Sequence, residues 1–126
     1  MIGMILIPPK RVCEEFFLTY ELKGAQKGID VLSRYYGIKR MKIVVDGRKA
    51  GKANDALYDE CVAYFKKNGL NRGNVLHEFY HHLAYILDWN MSDKREEREA
   101  NQFALTFETQ LHRVYVRNSS MSFNHL

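Results

Sequence analysis

The residues best placed to do chemistry are His77, Glu78 and His81, which form an H-E-x-x-H run. Two histidines four residues apart on a helix share one face, about 40° apart around the axis, so both imidazoles reach one divalent ion. The intervening glutamate points about 100° away. It stands beside the ion, where it can take a proton from a metal-bound water. The plain alternative is a solvated helix face that happens to carry these letters. With five histidines in the chain, that match arises on the order of one per cent of the time, before helical context is required. A catalytic zinc asks for three protein ligands and one open position. No third histidine stands at the spacing of the H-E-x-x-H-x-x-G-x-x-H enzymes, since Ala84 and Leu87 occupy its glycine and third-histidine positions. The chain instead offers the run from Arg95 to Ala104, in which Glu96, Glu97 and Glu99 can supply a carboxylate from a second helix. Otherwise that run is a charged first turn, solvated and favoured by the helix dipole.

Such a site needs two helices packed side by side. Asn71 or Asn74 caps a helix running to about Trp89, with Val75, Phe79, Leu83, Ile86 and Leu87 as its apolar stripe and His77 and His81 on the other side. Asn90 to Asp93 interrupts it, and Ser92 or Asp93 caps the next helix, Lys94 to about Val116. That helix buries Ala100, Phe103, Ala104, Phe107, Leu111, Val114 and Tyr115. Upstream, Arg11–Glu21 and Ala25–Tyr36 read as two short helices or one broken at Lys23-Gly24, the second stopped by Gly37. Met41–Val45 reads as a strand closed by an Asp46-Gly47 turn. Asn54–Tyr58 and Cys61–Phe65 read as an antiparallel pair around Asp59-Glu60. The fold class is therefore α+β: N-terminal helices, a small antiparallel-edged sheet, the H-E-x-x-H helix and a ligand-bearing helix. Residues 1–116 form one domain, and 117–126 are expected to be a loose polar tail.

H-E-x-x-H followed by E-x-E-A-N-x-F-A resembles the ImmA/IrrE-type zinc metallopeptidases of the glutamate-zincin group. The matching residues are His77, Glu78 and His81, then Glu97, Glu99, Ala100, Asn101, Phe103 and Ala104. The resemblance covers roughly residues 25 to 108, including the helix ending in Tyr35-Tyr36-Gly37-Ile38, but only the two motifs are specific. Where the family continues with an L-L-M-P-like segment, this chain has Leu105-Thr106-Phe107-Glu108. The resemblance implies a minimal zincin-like domain holding Zn²⁺ and cutting a peptide or protein, such as a transcriptional regulator. In related zincins the ligand glutamate lies four residues before an acidic or amide residue. That register makes Glu97 the third ligand, with Asn101 one turn later supporting a metal-bound histidine, Glu96 the fallback and Glu99 about 200° away. Glu78 then passes its proton to the leaving amine, and Cys61–Phe65 serves as the edge strand that holds an extended substrate.

Composition narrows the setting. A chain of 126 residues with 46% hydrophobic, 13% aromatic and 27% charged residues is an ordinary globular domain, and collagenous, disordered and disulfide-scaffold classes are excluded. Met1–Ile7 stops at Pro8-Pro9, too short for a signal peptide or a membrane span. Cys13 and Cys61 form no C-x-x-C, so a reducing, cytoplasmic location is expected. The net charge of +4 is spread over Lys10, Arg11, Arg34, Arg40, Arg48, Lys49, Lys52, Lys66, Lys67 and Arg72 without a nucleic-acid motif. A second function class is thus a basic nucleic-acid- or regulator-binding module with a structural or degenerate zinc site. Intact Glu78 speaks against it, since a structural site needs no general base. His82 is expected on the surface or supporting a ligand. His112 and Tyr115 are candidates for an oxyanion, though such residues are more often packed.

Overall fold

The computed structural model describes residues 7–51 and 54–124, with side chains described as far as His112. The apolar stretch before Ile7, Lys52, and the side chains of Val114 and Tyr115 lie outside the described residues.

Helices α1 (Lys10–Lys23) and α2 (Ala25–Tyr36) are separate, because Gly24 turns the chain at a φ of 98°, which favours glycine. They pack closely at Gly28, where a Cβ would lie 2.8 Å from the Tyr20 Cβ. Gly37 ends α2 in the left-handed region, and the Ile38 N–H closes back on the Ser33 carbonyl.

Strand β1 (Lys42–Val45) leads into a one-turn helix α3 (Gly47–Ala50), in place of the simple turn that Asp46-Gly47 suggests. The Asp46 side chain accepts the Arg48 and Lys49 N–H groups and caps it. Strands β2 (Ala56–Asp59) and β3 (Val62–Phe65) form a hairpin with a two-residue loop. Glu60 and Cys61, at φ 41° and 72°, take the left-handed conformations that such a loop requires.

The sheet order is β1-β3-β2, with β1 parallel and β2 antiparallel to β3. The sheet is thus mixed, and the expected edge role of Cys61–Phe65 fails. β3 is paired on both sides, its Ala63 and Phe65 sealed in the core. The edge strands are β1 and β2. The outer edge of β1 is closed by Gln26, whose Oε1 accepts the Ile43 N–H at 2.8 Å and whose Nε2 donates to the Met41 carbonyl at 2.9 Å.

Asn71 caps α4 (Arg72–Ile86) by accepting the Asn74 N–H at 2.9 Å. The helix stops before the expected Trp89, because Asp88 turns left-handed at φ 52° and the Trp89 N–H closes on the Ala84 carbonyl. Ser92 opens α5 (Asp93–Asn124). This helix runs past Val116 and replaces the expected loose tail; no glycine or proline lies between Asp93 and Asn124 to stop it.

Val75, Phe79, Leu83, Phe103 and Phe107 are buried between these helices, α1, α2 and the sheet. Each such apolar side chain contributes roughly 1.5–3 kcal/mol by leaving water. Among the described residues no helix is long and apolar enough to cross a membrane.

Candidate metal centre

Packing of the Phe79 and Leu83 face of α4 into the core turns its His77 and His81 face toward α5 and the open edge of β2. The site lies in a cleft of about 530 Å³ whose walls include Ala56, Leu57, Tyr58, Asp93 and Glu96. His77 and His81 are nearly covered, with 15% and 14% of their side chains exposed.

Among the described residues, His77, His81 and Glu97 bring one ligand atom each within 4.8 Å of one another. The two Nε2 atoms are 3.3 Å apart. Two metal–nitrogen bonds of about 2.0–2.1 Å at a tetrahedral angle give a separation of roughly 3.3 Å. Glu97 completes the set, one oxygen 2.7 Å from His77 Nε2 and the other 3.1 Å from His81 Nε2. The donor set therefore fits a small divalent cation with one side open to the cleft. His, His and carboxylate is also the chemistry that zinc accepts.

Glu96, the fallback ligand, has a different place. Its Oε2 lies 2.5 Å from His81 Nδ1. A carboxylate only accepts, so Nδ1 carries the proton and Nε2 points its lone pair into the cluster. Adjacent glutamates on one helix diverge by about 100°. Both still meet His81, because that ring has a nitrogen on each side. Burial lowers the His77 pKa, which favours the neutral, ligating form, against an opposing pull from Glu97. A side-chain hydrogen bond with Asn101 also pulls the His77 pKa upward.

Glu78 is 7% exposed, with Oε2 3.8 Å from His77 Nε2. Burial pushes its carboxyl up to about 7; His81 opposes this and the Glu97 charge adds to it. A group poised there exchanges protons near neutral pH.

Other candidates separate clearly. Glu99 turns away, accepting from the Tyr80 hydroxyl at 2.5 Å and from Arg95 at 3.2 Å. His112 lines a different cleft with Phe17, Arg72 and Glu108. His82 is not on the surface: it is fully buried against Phe79 and Tyr58. Its Nε2 lies 2.5 Å from the Lys39 carbonyl, and its Nδ1 lies 2.7 Å from the Tyr58 hydroxyl. Sequence reasoning overlooks Tyr58, whose alternation on β2 is the only available signal.

Among the described residues, the unpaired sheet edge beside the cluster belongs to β2 rather than β3. Lys66 N–H donates to the Asp55 carbonyl at 2.9 Å. By strand alternation, Asp55, Leu57 and Asp59 aim their backbone groups at β3, while Ala56 and Tyr58 aim theirs outward beside the cluster.

No protein-family model, curated protein or solved structure matches this chain.

Proposed function

We propose that this protein is a zinc metallopeptidase that hydrolyses a peptide bond in an extended stretch of a protein substrate, a transcriptional regulator being the class the motif resemblance suggests. The observation that carries this reading is the convergence of His77, His81 and Glu97 beside a buried carboxyl, Glu78, within one open cleft. A structural zinc site is closed by four protein ligands, whereas this one offers three among the described residues.

His77, His81 and Glu97 would hold the ion. Zinc, when bound, supplies Lewis acidity and brings the acidity of water near neutrality. Glu78 supplies the proton traffic: its carboxylate takes a proton from the attacking water and returns it to the departing amine. An extended substrate aligns by pairing with the outward N–H and C=O groups of Ala56 and Tyr58. Cys13 and Cys61 are free thiols, in keeping with a reducing cytoplasm as the place of action.

Metal analysis and peptide hydrolysis, measured together, test the proposal. His77→Ala and Glu97→Ala are expected to purify without zinc. Glu78→Gln is expected to keep zinc and lose hydrolysis by about 10²–10⁴-fold. Zinc-loaded Glu78→Gln that cuts as fast as wild type removes the proposed base.

A further inference from the structure

His82 follows a candidate ligand directly, yet all of its hydrogen-bonding capacity is used in the interior. A carbonyl oxygen only accepts, so the contact with Lys39 puts the ring proton on Nε2. Nδ1 is then an acceptor, and the Tyr58 hydroxyl donates to it. The same hydroxyl accepts the Cys61 N–H at 2.8 Å. One unbroken chain therefore runs from the loop at Lys39, through the helix that carries His77 and His81, to β2 and its left-handed turn at Glu60 and Cys61.

We propose that His82 and Tyr58 are positioning residues: together they hold the open edge of β2 at a set distance and register from the metal centre, so that a bound peptide presents its scissile carbonyl there. The proposal rests on the peptidase reading of the cleft. Tyr58 lies two residues from Ala56, and these are the two residues whose backbone groups face outward. A displacement of β2 therefore moves both outward-facing residues together relative to His77 and His81. The alternation of a strand makes this alignment unforgiving, since a slip of one residue exchanges inward and outward groups. Plain core packing explains the burial of His82. It does not require two specific polar contacts that join the metal-bearing helix to the edge strand.

The test uses the whole chain loaded with Co²⁺, a paramagnetic substitute for zinc that reports distance. In Tyr58→Phe, which keeps the ring and removes the hydroxyl, the paramagnetic shifts of the Ala56 and Tyr58-position amides are expected to change while Co²⁺ affinity stays at the wild-type value. In the zinc-loaded enzyme, kcat for an unstructured fluorogenic peptide is expected to fall about tenfold, because a scissile carbonyl displaced from the metal reacts slowly, with KM changed less. His82→Gln, which reaches Lys39 and not Tyr58, should behave like Tyr58→Phe. His82→Asn, which places an acceptor near the Nδ1 position, should restore kcat. Unmoved amide shifts in both Tyr58→Phe and His82→Gln overturn the tether. Moved shifts with unchanged kcat in an active enzyme overturn its role in substrate alignment. Moved shifts in a protein that hydrolyses no peptide leave the strand-positioning tether standing and remove the peptidase reading instead.

Discussion

His81 and His82 are neighbours in the chain with opposite surroundings, and the two sides of α4 they represent obey different rules. On one side, His77, His81 and Glu97 gather donor atoms that have no apolar reason to be together. On the other, Phe79, Leu83 and His82 are sealed, and the one polar ring among them has both nitrogens occupied. The open side has donor atoms that could hold an ion and the closed side serves the fold, so on the proposed reading metal affinity reports substitutions on the first and unfolding stability those on the second.

The largest expected effect is on the open side. Binding of zinc by four ligands is worth about 10–16 kcal/mol, so a single imidazole carries roughly 3 kcal/mol. His81→Ala should weaken zinc affinity at least about a hundredfold in a chelator competition, with little loss of stability in the metal-free protein. Comparable loss in both measurements would erase the contrast between the sides.

Glu78 lies between the two regimes, and pH separates them. Its carboxyl is raised toward about 7 in the folded protein, so folding favours the protonated form. The metal-free protein should therefore be most stable below the ordinary carboxylate range, near 4, as far as this group is concerned. It should lose about 3 kcal/mol as pH rises to about 7 and change little above that. Denaturant unfolding of wild type against Glu78→Gln reads this, and the variant should lack the slope.

Glu96→Gln ranks third. It keeps a hydrogen-bond acceptor for His81 Nδ1 and removes the negative charge, which should cost about tenfold in zinc affinity without emptying the site. The smallest effect is expected at Asn71, which caps the helix that both sides share. Asn71→Ala should lower unfolding stability by about 1 kcal/mol and leave zinc affinity alone.

Helical spacing makes α4 and α5 legible, along with the shared face of His77 and His81, because a period of 3.6 is visible in the letters. Glu97 emerges through the resemblance rather than through spacing. Strand pairing is the harder matter. The hairpin shows itself one residue early, at Asp59-Glu60 in place of the Glu60-Cys61 loop, because neither residue of that loop is a glycine or asparagine; β1 joins β3 in parallel across intervening chain, and no local signal says which strand lies in the middle. The edge role falls wrongly to β3 for that reason. His82 is misjudged because a histidine reads as polar from its letter. Its burial depends on Tyr58 and the Lys39 carbonyl, which are distant in sequence. The end of α4 is overestimated because Asp88 gives no glycine-like warning of its left-handed turn.

Gln26 has a consequence for assembly. By occupying the Ile43 N–H of β1 and the carbonyl of Met41 just before it, Gln26 leaves those two groups unable to recruit a foreign strand. Growth of the sheet by β-addition is thereby hindered on the β1 side, so copies of the protein are hindered from zipping together through that flank.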